Sequence, residues 1–128
     1  RAAFEESLRW DSPSRMAGRI AMTDVEIDGY VIPKGERCGL MFAAANRDPR
    51  RWEDPLQFDV RRNNIGSLGF GHGVHACVGR VLALLEAEAL LGALVEQVVA
   101  FEAAGDPVPW MTTVGHGPIK LPVRLRFA

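Results

Sequence analysis

The sequence predicts an α+β fold, mainly α with small β-sheets. Three stretches lead to that expectation. The run Val78 to Phe101 is largely apolar, its only charges being Arg80, Glu86, Glu88 and Glu96. The opening R-A-A-F-E-E-S-L-R-W sets Phe4 and Leu8 four residues apart, on one helical face. The closing stretch alternates Leu121, Val123, Leu125 and Phe127 with Lys120, Pro122, Arg124 and Arg126, the period of a strand.

The first helix is expected to stop near Ser12-Pro13, because proline disfavours helix in the residue before it. Val25, Ile27, Tyr30 and Ile32 flank Asp28-Gly29, a two-residue hairpin signal. Pro33-Lys34-Gly35 reads as a further turn. Cys38 to Ala45 is apolar and fits either a strand or a short helix. From Asn46 to about Gly73 periodicity fades, with turn signals at Asp48-Pro49, Asp54-Pro55, Asn63-Asn64 and Gly66. Trp52, Phe58, Ile65 and Phe70 supply apolar weight, so this stretch reads as an ordered meander. A long helix follows from about Val78 to Ala100, apolar on more than one face as in a helix enclosed by protein. After Gly105-Asp106-Pro107 an irregular piece is expected, then a strand from Lys120 to Phe127 with one buried face, Pro122 marking an edge.

The 128 residues fit one domain, and at 48% hydrophobic and 24% charged they can build a core. The balance of 15 basic and 16 acidic side chains favours neither nucleic acid nor an anionic membrane as partner. The charges inside Val78 to Phe101 argue against a membrane span. Two cysteines, Cys38 and Cys77, are too few for a disulfide scaffold, although they leave room for one bond. The chain opens inside a helical pattern, without a capping residue or an initiator Met, so the expectation is a chain truncated on its N-terminal side.

The chemistry is concentrated in F-G-H-G-V-H-A-C-V-G, Phe70 to Gly79. Gly71 and Gly73 allow tight turns or close approach of backbone to a flat ligand. Cys77 falls at the start of the long helix, where free N–H groups and the helix dipole favour a thiolate. Such a cysteine on a glycine-rich loop is a soft metal ligand. Taken alone, it reads first as a buried small hydrophobe with glycines that only make turns. A zinc reading has His72, His75 and Cys77 as three ligands, with Cys38 and His116 distant in sequence.

The whole string resembles the heme-binding loop of the cytochrome P-450 superfamily, Phe-Gly-x-Gly-x-His/Arg-x-Cys-x-Gly. Phe70, Gly71, Gly73, His75, Cys77 and Gly79 fill its fixed positions. The likeness runs over essentially the full chain. Glu6-Ser7-Leu8-Arg9 resembles the family's Glu-x-x-Arg motif, A-N-R-D-P and D-P-L-Q-F-D resemble its approach to the meander, and Leu82-Ala83 with Glu86 match its helix after the cysteine. Two departures are a Leu84-Leu85 pair where an arginine is frequent, and Ser67 where a histidine is common.

The resemblance implies the C-terminal, heme-binding part of the cytochrome P-450 fold, residues 1–128 being the C-terminal portion of a single heme-thiolate monooxygenase domain. It implies heme b as cofactor, Cys77 as the iron ligand, Phe70 packed beside it, and Gly71 and Gly79 among the cofactor-binding residues. His75 and Arg19 would reach heme propionates; without the resemblance, Arg19 reads as a solvated strand arginine. Glu6 and Arg9 would clamp a meander arginine, Arg62 or else Arg61, in a structural role. Pro13 to Gly18 and Met111 to Val114 correspond to substrate-contacting segments, and His116 beside them reads as a surface histidine. The implied enzyme is cytoplasmic and oxidises a small organic substrate with O₂ and electrons from a ferredoxin or flavoprotein. The family's oxygen-activating helix would precede Glu6, so catalysis by this chain alone is not expected. A truncated remnant or binding module is the competing reading, and a zinc module a third.

Overall fold

The computed structural model describes residues 1–128. Helix α1 spans Ala2–Trp10 and ends where proline requires, with the Asp11 N–H closing on Ser7 O at 2.8 Å. It buries a salt bridge: Glu6 and Arg9 are fully enclosed. Leu8 packs so closely on Gly69 that a Cβ there would stand 2.8 Å from the leucine Cβ.

Two small antiparallel sheets follow. Strand β1 (Ala17–Ile20) pairs with β4 (Arg37–Leu40), setting Arg19 opposite Cys38. Between them, β2 (Val25–Ile27) and β3 (Tyr30–Ile32) form the expected hairpin. Its turn residues Asp28 and Gly29 have φ of 49° and 82°, the left-handed pair that a tight two-residue hairpin demands. The apolar stretch Cys38 to Ala45 is divided between β4 and a single-turn helix α2 (Phe42–Ala45), so both readings of it hold in part.

The stretch from Asn46 to Gly73 is ordered, and a polar cluster orders it. All five N–H donors of Arg9 are used: two on the Glu6 carboxylate at 2.8 Å, the others on the carbonyls of Asn46, Pro55 and Gln57. A planar guanidinium suits this, because its rigid fork can tie several carbonyls at once. Trp52 is buried between Arg9 and Arg51, whose guanidinium carbons lie 5.5 and 4.6 Å from its ring centre. The expected apolar packing is only partly present, since Trp52 is enclosed while Ile65 is 75% exposed. The carbonyls that a meander cannot pair in sheets are met by arginines instead.

Helix α3 runs Arg80–Gln97, shorter than expected at both ends. At its start the Arg80 N–H bonds back to Cys77 O at 3.2 Å, and Gly79 is the cap. At its end Val98 turns extended and begins strand β5 (Val98–Ala103), which pairs with β8 (Val123–Phe127). The apolar period ran on through β-branched Val98 and Val99, which suit a strand better than a helix. The piece after Pro107 is a hairpin, β6 (Val108–Met111) with β7 (His116–Lys120), rather than irregular chain. The alternating terminus is one element too few: Leu121-Pro122 divides β7 from β8, since proline lacks the N–H a ladder needs. Its apolar face is not buried either, with Phe127 61% exposed, because each sheet has only two strands and no layer covers this one.

Seven residues are buried in the whole chain, and only Trp52 and Leu84 among them are large and apolar. Helix α3 presents Val81, Leu82, Leu90 and Val95 to the outside, so the apolarity read on more than one face is present without a covering layer. No helix is long and apolar enough to cross a membrane.

Candidate functional site

The loop ahead of α3 is built by its own backbone. Gly71 N–H bonds to Leu68 O at 3.0 Å, a short 3₁₀ turn covers Gly73–His75, and the Cys77 N–H returns to Phe70 O at 2.8 Å. That last bond brings the two ends of the motif together. Gly71 has φ +70°, and a Cβ there would lie 2.8 Å from His75 O. Only glycine fits so close a return. Gly79 lies just beyond the thiol, where a Cβ would stand 3.8 Å from Cys77 Sγ.

A cleft of about 530 Å³ opens on this loop. Cys77, His75, Gly71 and Phe70 line one side, and Ala17 and Arg19 of β1 line the other. The strand alternation explains the second side, because Ala17 and Arg19 are two apart and share a face. Arg19 donates to Gly18 O at 2.8 Å through one terminal nitrogen and has no carboxylate partner. Thus five of the six residues expected at the cofactor line one cavity, and Gly79 borders its thiol. Both cysteines are free, Cys77 exposed and Cys38 half-buried.

These residues fit a flat, largely apolar macrocycle with anionic arms. The glycine-shaped loop leaves no side chain in the way at Gly71, a thiol stands free, and a guanidinium and an imidazole border the same cavity. Zinc is not served: no three of the His, Cys, Asp and Glu side chains gather as a metal site, so His72, His75 and Cys77 are not a ligand set. The two departures in sequence have local answers. Leu84 is buried, and the Ser67 hydroxyl accepts the Gly69 N–H at 3.3 Å.

Behind the loop lies the Glu6 cluster. Arg62, not Arg61, completes it, donating to Glu6 Oε1 at 3.2 Å and to Glu53 O at 2.6 Å. Arg61 is 88% exposed and pairs with Asp59. Burial alone would raise the Glu6 pKa. The hydrogen bonds from Arg9, the Asp59 N–H and Arg62 outweigh it and bring the carboxyl from 4.5 down to about 2.

Sequence reading missed Asn46 within A-N-R-D-P. It is fully buried, and its carbonyl accepts from Arg9. Its side chain accepts the Leu68 N–H at 2.8 Å and donates to the Ser12 hydroxyl at 2.9 Å. An asparagine directly after an apolar helical turn was the available signal. His116, read as a surface residue, is half-buried and lies 3.0 Å from Asp11. The segments Pro13 to Gly18 and Met111 to Val114 do meet, through the Arg15 N–H on Val114 O at 2.8 Å.

Comparison with known proteins agrees with this geometry. The family model described as Cytochrome P450 matches residues 1–113. The chain is 43% identical over 125 residues to cytochrome P450 CYP199A2 of Rhodopseudomonas palustris, covering 98% of this chain and 30% of that protein. It is 39% identical over 128 residues to the cytochrome P450 monooxygenase PikC of Streptomyces venezuelae, covering 97% of this chain and 31% of that one. Among solved structures, P450BioI in complex with an acyl carrier protein carrying hexadec-9Z-enoic acid superposes with a TM-score of 0.91 at 36% identity, over 98% of this chain and 33% of that chain. CYP108D1 of Novosphingobium aromaticivorans does so with a TM-score of 0.91 at 38% identity, over 99% and 31%. The chain therefore spans about a third of the length of the relatives it matches. On its cysteine loop, its fold and these matches, the chain belongs to the cytochrome P450 family, whose cofactor is heme.

Proposed function

We propose that Cys77 would supply the thiolate ligand of heme b iron in a monooxygenase that oxidises a small organic substrate with O₂. In this reading residues 1–128 are the C-terminal portion of a single heme-thiolate domain. One observation carries it: Cys77, His75, Phe70, Gly71 and Arg19, chosen from the sequence for this role, line a single cleft.

Heme, when bound, supplies the activation of dioxygen, and a thiolate ligand favours O–O cleavage. The chain's own residues hold and orient it. Arg19 offers a guanidinium for bidentate pairing with a propionate, and His75 a second polar contact. Phe70 packs beside the ligand, and the Cys77 N–H to Phe70 O bond fixes the sulfur's backbone. Pro13 to Gly18 and Met111 to Val114, brought together by the Arg15–Val114 bond, form part of the wall facing the substrate. Electrons come from a separate ferredoxin or flavoprotein, and the enzyme works in the cytoplasm.

The test is the absorption spectrum of the full-length, heme-loaded protein, reduced under carbon monoxide. Wild type is expected to show the strongly red-shifted Soret band of thiolate-ligated iron, and Cys77→Ser to lose it. A wild type with an ordinary heme band overturns the assignment.

A further inference from the structure

The β6–β7 hairpin is a stiff unit seated on the segment after α1. Thr112 closes its tip, its N–H bonding to Gly115 O at 2.8 Å and its hydroxyl lying 3.1 Å from the Gly115 N and O atoms. Gly115 is buried, and a Cβ there would meet Pro13 O at 3.1 Å. Two backbone bonds join the units, Arg15 N–H to Val114 O at 2.8 Å and His116 N–H to Pro13 O at 3.0 Å. Both lie within three residues of each other on the segment, so alone they form a hinge. The Arg15 guanidinium adds a third link across it, Nη1 lying 3.4 Å from Met111 Sδ.

A side chain acts off that axis. His116 Nε2 lies 3.0 Å from Asp11 Oδ1, a contact that ties the hairpin to the end of α1 rather than to the segment. The same Asp11 oxygen is also approached by Arg47 Nη2 at 3.7 Å. Arg47 is itself fixed, donating to Trp10 O and lying over the Trp10 ring at 5.6 Å. The segment that the hairpin grips reaches the cysteine cleft, because Ser14 and Ala17 line it.

We infer that His116 is a positioning residue: through Asp11 it holds the hairpin tip, Met111 to Val114, against Pro13 to Gly18, so that both stretches present one preorganised wall to an organic ligand. This rests on the reading above, which gives these two stretches to the substrate. His116 touches no reacting atom. It lowers the cost of ordering the wall on binding, and that cost is paid only by a ligand that reaches the wall.

Two iron-binding probes separate wall from iron in the full-length, heme-loaded protein: imidazole, too small to reach the wall, and 4-phenylimidazole, whose phenyl ring extends towards it. Dissociation constants are read from the Soret shift. His116→Ala is expected to weaken 4-phenylimidazole roughly 2- to 5-fold, the size of one part-exposed polar contact, and imidazole less than about 1.5-fold. His116→Gln, which keeps a donor at a similar reach, should restore wild-type values. An unchanged ratio of the two constants in His116→Ala, or His116→Gln as weak as His116→Ala, overturns the inference. Should the wild type lack the thiolate-type band, the functional reading fails separately, and amide hydrogen exchange then decides on the clamp. Faster exchange at Arg15 and His116 in His116→Ala, with α1 unchanged, supports it; unchanged exchange at both overturns it.

Discussion

The side-chain oxygen of Asn46 accepts the Leu68 N–H at 2.8 Å, two residues before the cysteine motif begins. The same side chain donates to Ser12, one residue before the segment proposed to face the substrate. One buried amide thus fixes the entry to the cysteine loop and the entry to that segment, while its backbone carbonyl accepts from Arg9. Asn46→Leu keeps the size but leaves the part-buried Leu68 N–H unpaired and strips the Ser12 hydroxyl of its donor, leaving it the 3.5 Å bond to Arg9 O. The expected cost is about 1–3 kcal/mol, since one group is left without a partner. Asn46→Asp keeps the acceptor for Leu68 and should retain more of the heme-loaded state than Asn46→Leu. Urea midpoints and the heme content of the full-length variants measure both.

Glu6 gives the fold an acid limit. Its carboxyl is held at about 2 in the folded protein against an ordinary 4.5. A depressed pKa contributes stability that is complete above the unfolded value and is lost as pH falls through the folded one. The advantage of wild type over Glu6→Gln should therefore be constant near neutral pH, shrink below about pH 4.5, and flatten near pH 2. At pH 7 it is expected to be roughly 3–5 kcal/mol, because Gln leaves the Arg9 charge buried without its partner. Asp48 and Asp59 also titrate low beside Arg50 and Arg61, so the difference between the two proteins, not the raw acid midpoint, isolates Glu6.

Neighbouring arginines should behave differently. Arg62→Ala removes a contact to Glu6 and three to meander carbonyls, from a side chain 13% exposed. Arg61→Ala removes a surface pair with Asp59 from one 88% exposed. Expected losses are about 2–4 kcal/mol for Arg62 and under about 0.5 for Arg61. Equal effects in chemical denaturation would contradict the assignment of Arg62 to the cluster.

Where the sequence carried local rules, it was legible. The Asp28-Gly29 turn, the stop of α1 before Pro13 and the glycine-shaped loop each follow from backbone sterics within a few residues. That the candidate residues share one cleft was legible for a different reason, since the ten residues from Phe70 to Gly79 resemble one family's loop, and the strand period then sets Arg19 beside Ala17. What failed depended on long-range pairing. Val98 and Val99 leave the helix because β8, some 25 residues later, offers a ladder. The hairpin after Pro107 likewise has only weak local signals, two of its paired positions being Pro109 and Pro118. Asn46 was missed because a buried asparagine declares its role only through partners distant in sequence.

The apolar surface of α3 yields a prediction for the 128-residue polypeptide by itself. Val81, Leu82, Leu85 and Val95 are each more than half exposed, and the large apolar core is Trp52 and Leu84. Burial of apolar area is the main driving force for folding, so a chain with this little of it is marginal. The isolated polypeptide should bind a hydrophobic dye, unfold without a sharp transition and retain heme poorly through gel filtration. Stoichiometric heme retention with a cooperative melt would contradict this.

The two glycines of the motif offer the sharpest contrast in the loop. Both are left-handed, Gly71 at φ +70° and Gly73 at φ +60°. A Cβ on Gly73 meets nothing within 4 Å, so Gly73→Ala suffers only the conformational penalty, roughly 1–2 kcal/mol. A Cβ on Gly71 would lie 2.8 Å from His75 O, which is backbone and cannot swing aside. To make room, the 3₁₀ turn carrying His75 must move, and Cys77 is two residues further on. Gly71→Ala should therefore disturb the thiolate directly. In the full-length protein reduced under carbon monoxide, Gly73→Ala is expected to keep most of the red-shifted Soret band. Gly71→Ala should convert most of it to the band of iron without thiolate ligation. Matching spectra for the two variants would mean that the clash at His75 O does not control how the sulfur is held.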